Sequence, residues 1–272
     1  MKTIIVATDY SNAASNALSY AAELANVINA KLVLFNVYHL NIHASNARLS
    51  PDKIDQMIKN NELRLQELAD ETAQKYNLSV NWYSKMANTV EELEAYATTN
   101  PVDLVVMGME TNLMEYRLFG NTTTAAIHRL KFPVLVVPNE VPYKKLERVL
   151  YACEYKYLEK DNHLDLLKDL ARKYNAQLQV LHVETKAKEP ALANNQFISN
   201  VDNLMEDVEH TYNFVESSSI AKGIEKGVNE YNANLLVMVP HKAGFLESLM
   251  KGSVTREMTL KTRVPLLVLP NL

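Results

Sequence analysis

Glycine placement decides which phosphate chemistry this chain can support. Of its six glycines, none precedes Gly108. The first strand-to-helix turn, Thr8-Asp9-Tyr10-Ser11, therefore cannot be a G-x-G-x-x-G dinucleotide loop, which needs glycine for close approach of a pyrophosphate. No G-K-[ST] run is present, so a P-loop is excluded as well. Gly108 ends an apolar run, and Gly120-Asn121-Thr122-Thr123 opens a helical pattern. Free backbone N–H groups and hydroxyls at such a helix start attract a phosphate, although Asn121 and Thr122 can equally serve as caps. Gly252-Ser253-Val254-Thr255 repeats the arrangement later in the chain. Asp9 follows a buried strand at the edge where open α/β sheets take ligands; its alternative role is to cap the next helix beside Ser11.

No catalytic constellation stands beside these residues. There is no G-x-S-x-G elbow, no H-E-x-x-H and no cysteine at metal-ligand spacing, so an enzyme is not expected. The single cysteine, Cys153, ends a core strand and reads as a buried, inert thiol. His39 and His43 are four apart, but without a further ligand cluster they read as surface histidines. Met107, Met109, Met114, Met250 and Met258 read as core filler.

The elements that must position these residues occur twice. Thr3–Asp9 is matched by 148–154, Ala30–Val37 by 176–183, and D-L-V-V-M-G (103–108) by N-L-L-V-M-V (234–239). Proline-bracketed strands, F-P-V-L-V-V-P (132–138) and V-P-L-L-V-L-P (264–270), close each half. Offsets of about 131 to 146 residues are too long for a solenoid and right for two whole domains, 1–140 and 146–272, joined by a short linker. Short apolar runs alternating with helical patterns give an α/β class with a mainly parallel sheet. Ser11 caps a helix with an apolar stripe from Ala14 to Ile28; Ser50-Pro51-Asp52 starts a long polar helix; Thr89 and Glu92 form a capping box. Strands are expected near 79–84 and 214–217, and helices from His163 and after Ser199.

With 272 residues, each half can bury a core without a metal or disulfide staple. A net charge of −4 leaves no footprint for nucleic acid or an anionic membrane. One cysteine, a first strand in place of a leader and no apolar run of membrane-spanning length predict a cytoplasmic chain.

At V-A-T-D-Y-S, N-A-L-x-Y-A-x-x-L-A (Asn16–Ala25), D-L-V-V-M-G, G-N-T and P-V-L-V-V-P, the chain resembles the universal stress protein family, as a tandem member. The resemblance implies two five-stranded parallel sheets flanked by helices, of the adenine-nucleotide α-hydrolase-like kind, and a role in stress survival rather than catalysis. Family members that bind ATP carry G-x2-G-x9-G-[S/T/N], an aspartate after the first strand and a valine after the second. Carried over, the ligand residues are Asp9, Val37, Gly108, Gly120, Asn121 and Thr122, holding ATP with Mg²⁺. Thr111 stands where the second glycine belongs, and the loop to Gly120 is one residue short. In the second half Val239 and Lys242 replace both loop glycines and Glu154 the aspartate; Lys242 and Glu154 either pair and fill that site or stand as two solvated side chains. The alternative is an interaction protein with both sites degenerate. The family also dimerises through its last strand, which predicts that 134–137 and 266–269 meet within one chain as a pseudo-dimer and leaves room for a homodimer of the tandem chain.

Overall fold

The structure, a computed structural model, describes residues 2–38, 50–110, 121–153, 164–185, 191–239 and 264–270. In the first half, β1 (Lys2–Ala7), α1 (Asn12–Ile28), β2 (Ala30–Tyr38), α2 (Pro51–Tyr76), β3 (Val80–Met86), α3 (Thr89–Ala97), β4 (Leu104–Met109), α4 (Asn121–Arg129) and β5 (Val134–Pro138) follow one another. The second half contributes β6 (Arg148–Ala152), α5 (Asp165–Tyr174), β7 (Gln177–Thr185), α6 (Ala191–Leu204), β8 (His210–Ser217), α7 (Ile220–Tyr231), β9 (Leu235–Met238) and β10 (Leu266–Val268).

Among the described residues, ten strands form one sheet in the order β3-β2-β1-β4-β5-β10-β9-β6-β7-β8. Every pairing is parallel except the central one, where β5 meets β10 antiparallel with Leu135 opposite Leu267. The two apolar closing strands therefore cover each other's edges, as expected for an intramolecular pseudo-dimer. The strands between the two outer ones are largely buried on both faces because helices cover both. Helices α1, α2, α5 and α6 enclose one continuous core, which includes Ile4, Val6, Leu65, Leu167 and Phe197. Helices α3, α4 and α7 enclose the other, with Ile5, Leu93, Ile127 and Ile224. Each such aliphatic side chain contributes about 1.5–3 kcal/mol when removed from water.

Local chemistry accounts for the helix ends. Ser11 caps α1 by accepting the Ala14 N–H, and the alanine-rich stripe that follows is buried throughout. Pro51 opens α2 in the first turn, where its missing N–H costs nothing. Helices α1, α2, α5 and α7 each stop on an asparagine in the left-handed region, Asn29, Asn77, Asn175 and Asn232. The cap of α3 differs from the expected box: Asn88 accepts from the Val90 and Glu91 N–H groups, which frees Glu92 for an interior role. Helix α5 begins at Asp165 rather than His163, and α6 at Ala191, well before Ser199. Strands β3 and β8 each extend beyond the apolar runs that announced them, since outer strands of a sheet need only one apolar face.

The linker is pinned to α1 and α5. Asn16 donates to the Pro138 and Val141 carbonyl oxygens, both at 2.9 Å. Tyr143 packs edge-on against Tyr20, with centroids 5.1 Å apart, and its hydroxyl lies 2.8 Å from that of Tyr174. Burial pushes the Tyr20 and Tyr174 phenols well above their ordinary values, so both stay neutral. Lys2 and Asp169 add an ion pair across the junction.

Candidate functional site

Strands β1, β2 and β4 run parallel, so their carboxyl ends share one edge of the sheet. That edge carries Asp9 two residues past β1, Val37 near the end of β2 and Gly108 near the end of β4. Asn121 and Thr122 open α4, the helix that follows β4. The chain returns from β2 and β4 on opposite sides of β1, which makes the β1–β4 crevice the switch point where open α/β sheets bind ligands. Gly120, Thr111, Glu154, Lys242, Gly252, His39, His43, Met114, Met250 and Met258 lie outside the described residues, and with them the proposed Lys242–Glu154 pair.

Asp9 is exposed, and its Oδ1 accepts the Ser11 N–H at 3.0 Å, closing a tight turn ahead of α1. Thr122 is exposed at the start of α4, whereas Thr123 is buried. Val37 presents its carbonyl oxygen to the Thr89 hydroxyl at 3.5 Å. Gly108 shows why no side chain is tolerated there: a Cβ would sit 2.4 Å from the Ala13 carbonyl and 2.7 Å from the Ala14 nitrogen. Its first role is thus to let the start of α1 lie on β4, which brings the Asp9 turn and the end of β4 together. Among the described residues no group of three or more histidine, cysteine, aspartate or glutamate side chains could hold a metal.

Beneath this edge lies a polar interior that the sequence did not announce. Asn36, only 3% exposed, donates to the Thr8 carbonyl oxygen at 2.7 Å. Asn61 on α2 donates to Asn36 Oδ1 and to Ser84 Oγ, each at 2.8 Å, and accepts from the Tyr10 hydroxyl at 3.1 Å. Tyr10 adopts φ 64, a left-handed conformation that costs a side-chain-bearing residue about 1–2 kcal/mol. The Arg64 guanidinium stacks on its ring at 3.8 Å. Burial raises the Tyr10 phenol above its ordinary value despite that cation. The only advance signal was an asparagine inside the apolar run of β2; nothing in the pattern of α2 pairs it with Asn61.

On the opposite face, Phe35, Tyr83 and Tyr96 form an aromatic cluster with centroids 5.0–5.6 Å apart. Glu92, 7% exposed, accepts from the Tyr83 hydroxyl (2.5 Å) and Lys85 Nζ (2.8 Å). Burial pushes its carboxyl up, but the bonds from Lys85 and Tyr83 and the lysine charge outweigh this and hold it below the ordinary glutamate value.

The sequence pattern of the Universal stress protein family matches residues 1–138 and again 148–270. The chain belongs to the universal stress protein family. It is a tandem member, with both copies in one sheet. A universal stress protein from Archaeoglobus fulgidus superposes at 20% identity with a TM-score of 0.75, over 98% of this chain and 98% of that one. A putative universal stress protein from Pseudomonas aeruginosa gives 15% identity and a TM-score of 0.62, over 99% and 93%. These likenesses establish the fold. A family protein from Arabidopsis thaliana, whose structure has AMP bound, aligns at 16% identity and a TM-score of 0.35, over 51% of this chain and 92% of that one. No curated protein matches the chain. Among the described residues, no helix of this universal stress protein is long and apolar enough to cross a membrane.

Proposed function

We propose that this universal stress protein is a stress-response adenine-nucleotide-binding module whose site lies in its first half and takes ATP with Mg²⁺. One observation carries the reading: Asp9, Val37 and Gly108 lie along one sheet edge beside the β1–β4 switch point, and α4 lies in the connection from β4 to β5. Asp9 and Val37 would meet the adenosine part. The backbone at Gly108 and Gly120, with Asn121 and Thr122, would hold the phosphates at a helix N-terminus. Binding, not turnover, is the function in this reading, because the sequence carries no G-x-S-x-G elbow, no H-E-x-x-H and no cysteine at metal-ligand spacing. The second half, with Val239 in the register of Gly108, would support the fold without a ligand of its own.

A second reading has support of its own. The Asp9 carboxylate is engaged by Ser11, and the Val37 carbonyl is met by Thr89, so both ligand groups already have partners in the chain. On that reading the protein acts through its surface. The deciding experiment denatures freshly purified protein and identifies any released nucleotide by chromatography. About one ATP per chain, lost on Asp9→Ala, upholds the first-half site. No nucleotide, and no binding of added Mg-ATP, upholds the interaction protein.

A further inference from the structure

Thr8, Tyr10, Asn61 and Asn36 close a ring of hydrogen bonds that joins α2 to the loop after β1. Tyr10 N–H donates to Thr8 Oγ1 at 3.1 Å, its hydroxyl reaches Asn61, Asn61 reaches Asn36, and Asn36 returns to the Thr8 carbonyl. What the ring encloses is the one unfavourable backbone in the loop, the left-handed Tyr10. Asp9 immediately precedes it, so the peptide plane that aims Asp9 is set by the tyrosine's conformation. Asn61 is fully used: both amide protons and the amide oxygen have partners. With every polar group of the Asn61 side chain engaged, the cluster favours one geometry.

We infer that Asn61 is a positioning residue: from α2 it holds Tyr10 in the left-handed region and thereby presents Asp9 at the sheet edge. The ligand arm of this inference rests on the nucleotide reading above; the loop arm does not. The second half shows what the ring requires. His182 still faces the Cys153 carbonyl at 3.2 Å, as Asn36 faces that of Thr8. Beside it stand the rings of Phe197 and Phe214, with Phe214 at the register that Ser84 holds in the first half.

The test uses the full chain and a double-mutant cycle. Amide hydrogen exchange is followed by NMR at Tyr10 and Ser11 in wild type, Asn61→Leu, Tyr10→Gly and the double variant. Asn61→Leu should speed both amides by about tenfold while the central amides of β1 keep their protection. In the Tyr10→Gly background the same change should leave Ser11 unaffected, because glycine takes the left-handed conformation without a tether. Unchanged exchange in Asn61→Leu, or an undiminished effect in the glycine background, overturns the inference. Should Asn61→Leu not fold, Tyr10→Phe removes only the hydroxyl and carries the same expectation for Ser11. Calorimetry with Mg-ATP reads the ligand arm, with about tenfold weaker binding expected for Asn61→Leu. Faster exchange with unchanged Mg-ATP affinity overturns the link from Asn61 to the ligand. A wild type that binds no Mg-ATP sinks the nucleotide reading, and the exchange data alone then decide the positioning role.

Discussion

The two halves share a backbone plan and fill it in opposite ways. Where the first half places Asn36, Asn61 and Ser84 beside the end of β1, the second places His182, Phe197 and Phe214. On the other face, Glu92 and Tyr96 of α3 fill the space between helix and sheet with hydrogen bonds and edge-on ring contacts. The same turns of α7 carry Gly223 and Gly227, and the helix drops directly onto β7: a Cβ at either would lie 2.3 Å from Val183 or 2.6 Å from Leu181. At the end of the fourth strand, Gly108 admits α1, while Val239 occupies the matching register. The difference teaches that, among the described residues, the first copy lines the end of β1 with amides and a hydroxyl, whereas the second sets aromatic rings around one histidine.

Exchanging residues between the halves should break this comparison most sharply at Gly108. Gly108→Val would drive a branched side chain into the backbone of α1, costing about 3 kcal/mol in urea unfolding. Val239→Gly should cost only about 1 kcal/mol, from chain entropy and lost packing. Next comes Gly223→Ala. Helix propensity favours alanine by about 1 kcal/mol, but the stiff Val183 side chain cannot yield, so the thermal midpoint should fall rather than rise. A midpoint that rises would mean that α7 has more room than its contacts show.

Smaller effects sharpen the picture. The carboxyl of Glu92 is held below its ordinary value of 4.5 in the folded chain. Its contribution is therefore complete above that value and is lost as pH falls through the lower folded one. Unfolding measured between neutral and strongly acid pH should show a shallower acid limb in Glu92→Gln than in wild type; parallel limbs would count against the Lys85–Glu92–Tyr83 cluster. Smallest of all, Lys2→Ala should cost about 0.5 kcal/mol at low salt and nothing measurable at high salt, because the junction rests on β5, β10 and the tyrosines rather than on an ion pair.

Much of this architecture was legible in the sequence. The repeated landmarks placed the strands, and the proline-bracketed runs identified the two edges that had to meet. Ser11 and Pro51 marked helix starts because capping is local chemistry, readable over four residues. Asn88 was overlooked because Thr89-x-x-Glu92 satisfies the same local rule one residue later, and only the interior position of Glu92 decides between them. The candidate site was legible as positions on one edge, not as contacts. Asn61 lies on a largely polar helix, and its bonds to Asn36 and Ser84 depend on how α2 is rotated over the sheet, which no periodicity encodes. Tyr10 gave no sign of its left-handed backbone, since bulky aromatic residues rarely adopt it.

The antiparallel seam between β5 and β10 has a consequence for how this molecule can vary. In a pair of identical subunits, each substitution appears at two related places, and association is governed by protein concentration. Here the partner surface is tethered by a few linker residues, so the seam persists at any dilution. Each side of the pseudo-twofold axis is encoded separately. A change such as glycine to valine at one strand end can therefore be accepted on one side alone, and the unaltered side keeps both its geometry and its support.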